Sequence, residues 1–343
     1  MKPVVVPSDP LPVVWRESET GGQKMPLTYH YCSLETACAI ISNASLRLCD
    51  ITKSNDSAEI TYGYAAAMDS LKRIGLISGS GPTLEFADHW IELLRPEYQT
   101  LLREALSRHL LPPNRLCYAV CLSERADQLS QWRAYGDDGR GVALGFDLST
   151  FAQREPSFTV CSDDGHPLET HMMTLYRPIV YGRERSTECF DELAARMARN
   201  VHDLRAASAG TQDAVRARLL DATLEFIAAT AFCKKRFFHE EREWRLAIWG
   251  PNANTAGFET LQEGLAHALP RRFPDTVTHA RFTVLPRMDR LVPTIDLGLD
   301  LGRTLRAVMI GPRCAASEQD IRMLLASAGV GVADVAHSRG TYR

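Results

Sequence analysis

The chain has 343 residues and a formal net charge of −3 at pH 7, and 45% of its residues are hydrophobic while 24% are charged. These values are typical of a globular protein with a sizeable core, and they argue against broad electrostatic attraction to nucleic acid. No apolar run is long enough to cross a membrane, and the N-terminus lacks the charge, apolar core and cleavage site of a signal peptide. We therefore expect a cytoplasmic protein with no membrane partner.

The cysteines and histidines give no pattern of a metal site. The nine cysteines are an odd number and include no C-x-x-C pair. A chain of this length forms a core without disulfides, so reduced, buried thiols are expected. Cys161, His166 and His171 are loosely spaced and have no fourth ligand nearby, so no metal is expected.

The chain is predicted to begin with an extended tail over residues 1–26, which are rich in proline. Residues 27–343 are expected to form a single α+β domain. Its first element is a short strand at 27–32, and Ser33 then makes a good N-cap for a helix that Asn43 can end.

Two helical insertions are predicted within this domain, at about 57–111 and 184–235, each containing two helices. Because the helices cluster in two blocks among many strands, the pattern favours an α+β fold over a doubly wound parallel sheet. The predicted strands cover residues 27–32, 46–51, 115–124, 142–148, 172–181, 237–249, 279–286, 290–298, 305–311 and 330–338.

The segment Phe237–Trp249, which reads FFHEEREWRLAIW, is the most informative part of the sequence. Side chains of a strand alternate between its two faces, so the apolar residues at 244, 246 and 248 share one face. Glu241, Glu243 and Arg245 share the other. Carboxylates are disfavoured in strands, so two of them on one face indicate a partner or a function. The alternative is an edge strand with a solvated charged face.

The first strand carries a candidate imidazole. His30 alternates with Tyr29 and Tyr31, so strand geometry separates a candidate polar face from an aromatic face. The alternative is a core histidine whose hydrogen bonds are satisfied within the protein.

Two aromatic residues near the middle of the chain are candidates for stacking on a ligand. Trp132 and Tyr135 are three residues apart on a predicted helical turn, which makes them neighbours on one face. They can stack on a planar ring such as nicotinamide or adenine. The alternative is that this helix packs onto the sheet.

Several short blocks, taken in order, resemble a bacterial domain family of unknown function, and they extend over nearly the whole chain after residue 27. The chain departs from the family pattern at Arg133-Ala134, where Ser-His is common. The blocks are YHYxS at 29–33, TKSND at 52–56, CLSE at 121–124, WxxY with a following glycine at 132–141, GFD at 145–147, ExEWR at 241–245, IGP at 310–312 and SxxxYR at 338–343.

More distantly, the chain resembles the ADP-ribosyltransferase-like fold, which implies a mixed, mostly antiparallel split sheet. This resemblance implies an NAD-dependent ADP-ribosyltransferase or NAD glycohydrolase, such as a toxin or an antiviral defence effector. NAD is then a substrate, and the acceptor is a protein, a nucleic acid or a small molecule. The implied catalytic residues are Glu243 and Glu241, and the implied NAD-binding residues are His30, Tyr31, Ser33, Trp132, Tyr135 and Arg245.

The implied chemistry is physically coherent. Cleavage of the bond between nicotinamide and ribose builds positive charge on the sugar, which a carboxylate such as Glu243 stabilises. His30 is expected to donate to a ribose hydroxyl, and Arg245 to pair with a carboxylate or bind the pyrophosphate.

Two other functions remain open at this point. One is a non-catalytic module that senses a nucleotide or a peptide. The other is a metal-dependent phosphodiesterase that uses Glu241, Glu243, Asp56 and His30.

Overall fold

The structure is a computed structural model, and it describes residues 25–53, 58–76, 99, 115–152, 158–161, 167–208, 210–251, 262, 265–266, 269–287, 290–331 and 334–340. The predicted N-terminal tail, apart from its last two residues, lies outside the described residues. So does most of the second helix that was predicted in the first helical block.

The strands begin one residue after the predicted start of the domain. They are β1 (Thr28–Cys32), β2 (Ser45–Asp50), β3 (Arg115–Ser123), β4 (Val142–Phe146), β5 (Phe158–Cys161), β6 (Pro167–Pro178), β7 (Val180–Tyr181), β8 (Cys233–Lys234), β9 (Glu243–Pro251), β10 (Val277–Arg287), β11 (Arg290–Leu299), β12 (Leu305–Ile310) and β13 (Asp334–His337).

Helices pack on both faces of the sheet, and the first of them is capped as predicted. The Ser33 side chain accepts a hydrogen bond from the Thr36 amide, and Ala44 ends that helix in the left-handed conformation. The helices are α1 (Leu34–Asn43), α2 (Ala58–Arg73), α3 (Leu129–Ala134), α4 (Arg183–Ala206), α5 (Gln212–Ala229), α6 (Leu269–Arg272), α7 (Leu301–Thr304) and α8 (Glu318–Ser327).

Eleven of the described strands form one mostly antiparallel sheet, whose main order is β10-β11-β2-β3-β1-β4-β12-β13. Strand β9 branches from β3, and β6 and β5 extend that branch. In the described part of this sheet, only β12 and β13 run parallel. The predicted α+β class and the mostly antiparallel sheet are therefore confirmed.

The sheet divides at strand β3. One edge of β3 pairs with β9 along its whole length. The other edge pairs with β2 at Ala119 and with β1 at Ser123. Residues 120–122 consequently lie between two separate ladders, and the candidate site lies at this opening.

Strand β9 is buried on both faces. Leu246 and Ile248 belong to an apolar core that also contains residues of α1 and α8. Ala247 and Trp249 belong to a second core, formed with α2, α4 and α5. The predicted alternation is correct, but the face with the acidic residues is covered by helices, and the edge-strand alternative is wrong.

Two predicted boundaries near this strand are wrong, and both affect the site. Helix α5 ends at Ala229 instead of continuing to residue 235, because Thr230–Phe232 forms a 3₁₀ turn and Cys233–Lys234 pairs with β7. Strand β9 begins at Glu243, because Arg236–Glu241 forms another 3₁₀ turn.

No disulfide joins the described cysteines. The prediction of buried thiols is correct for Cys32, Cys117, Cys189 and Cys233, and wrong for Cys121, which is exposed. Separately, none of the described helices combines the length and the apolar character that crossing a membrane requires.

Candidate functional site

A cavity of about 610 Å³ opens at the division of the sheet and brings together side chains from distant parts of the chain. Five of the predicted site residues line it: His30, Tyr31, Tyr135, Glu241 and Glu243. The other three, Ser33, Trp132 and Arg245, are not among its lining residues. The imidazole of the first strand and the late carboxylates therefore share one cleft.

Lys234 joins the two carboxylates. Its Nζ atom donates to Oε2 of Glu241 at 2.6 Å and to Oε2 of Glu243 at 2.8 Å. The side chains of Lys234 and Glu243 are each 5% exposed, and that of Glu241 is 16% exposed. Glu241 is thus the carboxylate nearer to solvent.

Backbone geometry sets this arrangement. Strand β8 places Lys234 beside the site, and the 3₁₀ turn then returns the chain so that Glu241 approaches it. Arg242 adopts a left-handed conformation (φ 45°) and redirects the backbone into β9. The hydroxyl of Tyr181 accepts the amide hydrogen of Glu243 at 2.8 Å, which fixes the start of the strand. The prediction that Glu241 lies on the strand is wrong, although it still reaches the site through the turn.

Glu243 is held in its ionised form. Burial alone raises the pKa of this carboxyl group, but the charges of Arg245 and Lys234 outweigh burial and lower it. Hydrogen bonds from Arg245 and from the thiol of Cys121 lower the pKa further. Glu243 therefore acts as a fixed negative charge and a hydrogen-bond acceptor, and it is poorly suited to act as a base.

Arg245 has a structural role beneath the site. Its Nε donates to Oε1 of Glu243 at 2.6 Å, and NH1 donates to the carbonyl oxygen of Ala231 at 2.6 Å. Its side chain is 1% exposed. The predicted pairing with a carboxylate is correct, whereas the predicted contact with a pyrophosphate is wrong because the guanidinium is buried.

The tyrosines of β1, and not His30, share a sheet face with Glu243. In the register, Ser123 pairs with Tyr29 on one side and with Glu243 on the other, so these three side chains lie on the same face. His30 lies on the opposite face from the tyrosines, as predicted, but the prediction that its face is the polar one is wrong. His30 lines the cavity because the sheet is divided beside it.

His30 is a neutral acceptor. Its Nδ1 lies 3.3 Å from the carbonyl oxygen of Cys121, which can only accept, so Nδ1 carries the hydrogen. Burial lowers the pKa of the imidazole, and the hydrogen bond to Cys121 opposes this shift in part. Nε2 of the neutral ring is then an acceptor, which reverses the predicted role of His30 as a donor to a ribose hydroxyl.

Trp132 supports the site from below and cannot stack on a ligand. It is 1% exposed, and its ring packs edge-on against Tyr31 with centroids 4.6 Å apart. Its Nε1 donates to Asp127 at 2.7 Å. The hydroxyl of Tyr31 in turn donates to the carbonyl oxygen of Arg125 at 2.7 Å. The predicted stacking role of Trp132 is wrong, and the packing alternative is correct.

Tyr135 is the aromatic side chain that a ligand can reach. It lines the cavity and is 50% exposed. Burial of its hydroxyl, and then the charge of Glu241, raise its pKa to about 12. Tyr135 is therefore a neutral hydrogen-bond donor beside the carboxylates at physiological pH.

Asp127 connects the predicted sequence blocks at 132–141 and 338–343. One of its carboxylate oxygens accepts from Trp132 and, at 2.7 Å, from the Ser338 hydroxyl. The other accepts from the Arg339 amide at 2.9 Å. These contacts fix Trp132, and thereby support Tyr31, which packs on it. Ser33 also has a structural role, as the N-cap of α1.

Lys234, Cys121 and the far end of the cavity were not predicted from the sequence as parts of the site. The sequence has a Lys-Lys-Arg run at 234–236, but a helix was predicted to continue to residue 235, and a helix does not place Lys234 beside the two carboxylates. At the far end of the cavity, Arg47 pairs with Asp296 at 2.7 Å. Leu285, Pro286 and Val292 contribute apolar lining to the cavity, and Lys53 also lines it.

The described residues contain no cluster of histidine, cysteine and acidic side chains that could hold a metal ion. The Lys234 ammonium occupies the position between Glu241 and Glu243 that a cation would take. This arrangement disfavours the phosphodiesterase alternative, whose fourth predicted residue, Asp56, lies outside the described residues.

A family model with the description "Protein of unknown function (DUF2971)" matches residues 131–246, less than half of the chain. The match includes Tyr135, Lys234, Glu241 and Glu243, whereas His30 precedes it. Searches of curated proteins and of solved structures gave no match.

Proposed function

We propose that this protein transfers ADP-ribose from NAD, either to an acceptor or to water. The observation that supports the proposal is that His30, Tyr135 and Glu243 line one cavity, with Glu243 held as a carboxylate. Glu243 supplies negative charge where positive charge develops on the ribose during cleavage. The distant resemblance of the sequence motifs to the ADP-ribosyltransferase-like fold adds an analogy.

The proposed reaction breaks the bond between C1′ of the ribose and the nicotinamide nitrogen. Nicotinamide leaves as a neutral base with the bonding electrons, and an oxygen or nitrogen of the acceptor bonds to C1′ and releases a proton. Glu241 is the better placed proton acceptor, because both carboxylate oxygens of Glu243 are engaged, one by Lys234 and one by Arg245. Tyr135 offers an exposed ring face to nicotinamide.

The volume and the lining of the cavity suit a dinucleotide. A cavity of about 610 Å³ lies within the size range of small-molecule sites. In this proposal the ribose next to nicotinamide lies near the carboxylates, and its hydroxyls accept or donate hydrogen bonds there. The phosphates extend toward Arg47 and Lys53, and the adenine reaches the apolar lining at Leu285 and Val292.

The decisive experiment measures nicotinamide release from NAD by the purified protein, in parallel with transfer of labelled ADP-ribose. Glu243→Gln keeps the shape of the side chain and removes its charge, and we expect turnover to fall about 100-fold or more. Glu240→Gln is the matched control, since Glu240 is exposed and lines neither cavity. Wild-type protein that neither binds nor cleaves NAD refutes the proposal.

A second candidate function is a sensor that binds a nucleotide without cleaving it. It is favoured by the engagement of both Glu243 oxygens, one by Lys234 and one by Arg245, because this pairing offsets the charge that catalysis needs. A sensor binds NAD saturably and releases no nicotinamide. In that case Glu243→Gln weakens affinity and has no turnover to abolish.

A further inference from the structure

A second cavity, of about 630 Å³, shares the segment 234–243 with the first. Lys234 and Glu241 line the first cavity, whereas neighbouring residues of the same segment line the second. Five cationic side chains line the second cavity: Arg183, Arg185, Lys235, Arg236 and Arg242. We call this second cavity the basic groove.

The positive charge of the basic groove is only partly compensated. Glu124, Glu184 and Glu243 also line it, but Glu243 is already paired with Lys234 and Arg245. Arg183 pairs with Asp69. Within the part of the chain that the structure describes, the exposed side chains of Lys235, Arg236 and Arg242 pair with no carboxylate. An overall negative protein thus carries local positive charge here.

An exposed aromatic ring lies within the same segment. Phe237 is 86% exposed, and it contacts Phe238 edge-on with ring centroids 5.3 Å apart. Phe238 is in turn held by the ammonium of Lys234, 4.8 Å from its ring centroid. Phe237 therefore directly follows the groove residue Arg236 with its ring in solvent, although it is not itself one of the residues that line the groove.

We propose that the basic groove binds a segment of single-stranded nucleic acid. The three cations at 235, 236 and 242 neutralise phosphates, and the Phe237 ring stacks on an unpaired base. A single strand is favoured over a duplex because stacking requires a base that is free of its partner. An acidic peptide would use the cations and leave the exposed ring without a role. A membrane surface would require a larger apolar area than one ring.

The position of the groove connects this proposal to the first site, because Glu243 lines both cavities. A bound strand therefore lies beside the carboxylates, and nucleic acid becomes a candidate acceptor, a consequence that rests on the proposed transfer of ADP-ribose. Binding itself needs no NAD. Failure of strand binding and failure of NAD cleavage are consequently separate results.

The test measures fluorescence anisotropy of labelled oligo-dT and oligo-U with the full chain, without NAD, over a series of salt concentrations. Three phosphate contacts predict a slope of about −2 for the logarithm of the association constant against the logarithm of salt concentration. Lys235→Ala/Arg236→Ala should lower the slope magnitude by about 1.4. Phe237→Ala should weaken binding about tenfold without changing the slope.

The matched control is Arg271→Ala/Arg272→Ala, which removes the same charge from adjacent residues that line neither cavity. It should bind oligo-dT nearly as the wild type does. The proposal is overturned if the wild type shows no salt-dependent binding, if both double variants lose affinity equally, or if Phe237→Ala binds as tightly as the wild type. A duplex that binds more tightly than the single strand also overturns it.

Discussion

Nζ of Lys234 lies 2.8 Å from Oε2 of Glu243, and both side chains are 5% exposed. The same ammonium also binds Glu241. A buried ammonium between two carboxylates lowers the repulsion between them and keeps both close to one cavity. The acidic pair that the sequence suggested is therefore part of a charged cluster with its own internal cation.

Replacing Lys234 with methionine should destabilise the protein strongly. The two carboxylates lose their shared cation, and removal of one member of a buried ion pair costs roughly 3–5 kcal/mol. Lys235→Met is the matched control, because that side chain is exposed and pairs with no carboxylate among the described residues. It should shift the urea unfolding midpoint very little. Equal midpoints for the two variants would show that the Lys234 contacts contribute little to stability.

Acid should reveal the contribution of Glu243 to stability. Its pKa in the folded protein is below the ordinary value of 4.5, so its ionised form stabilises the fold above that pH. This contribution is lost as the pH falls through the folded pKa. We expect the wild type to be more stable than Glu243→Gln above about pH 5, and the difference to shrink below pH 4.5. Urea unfolding midpoints at several pH values measure it, and a pH-independent difference contradicts the prediction.

Much of the fold was predictable because local patterns and tertiary structure agree. The cap at Ser33 and the period-two pattern of Leu246 and Ile248 each specify an element by short-range chemistry. The end of α5 was not predictable in this way. Its sequence continues to favour a helix, and the pairing of Cys233–Lys234 with a distant strand overrides that preference.

The sequence predicted which residues belong to the site better than it predicted how they are arranged. Alternation correctly placed Glu243 opposite Trp244, but no local pattern shows that helices cover the acidic face. Which residues lie beside Glu243 depends on the register of β1, β3 and β9, and hence on long-range pairing. For the same reason Lys234 and Cys121 carried no signal that distinguished them from other polar residues.

Truncation of Trp132 should mainly lower the stability of the protein, whereas truncation of Tyr135 should mainly weaken the binding of NAD. Trp132→Ala removes a buried ring that packs on Tyr31, so we expect a loss of roughly 3–5 kcal/mol in stability. Tyr135→Ala changes a half-exposed side chain, so stability should change little while the KM for NAD rises roughly threefold to tenfold. Thermal unfolding and steady-state kinetics separate the two effects. A stability loss at Tyr135 as large as that at Trp132 would argue against an exposed stacking position.

Cys121 provides a chemical probe of the cavity. Its side chain is exposed and lines the cavity beside Glu243, whereas Cys117 and Cys189 are buried and burial raises the pKa of both thiols. Iodoacetamide should therefore label Cys121 far faster than the two buried thiols. Millimolar NAD should slow this labelling, while Cys314, which does not line the cavity, serves as the internal control. Peptide mass spectrometry measures each rate. Equal labelling of Cys121 with and without NAD would place NAD outside this cavity. Separately, a Cys121→Ser variant that still turns over NAD would show that the thiol itself is not required for turnover.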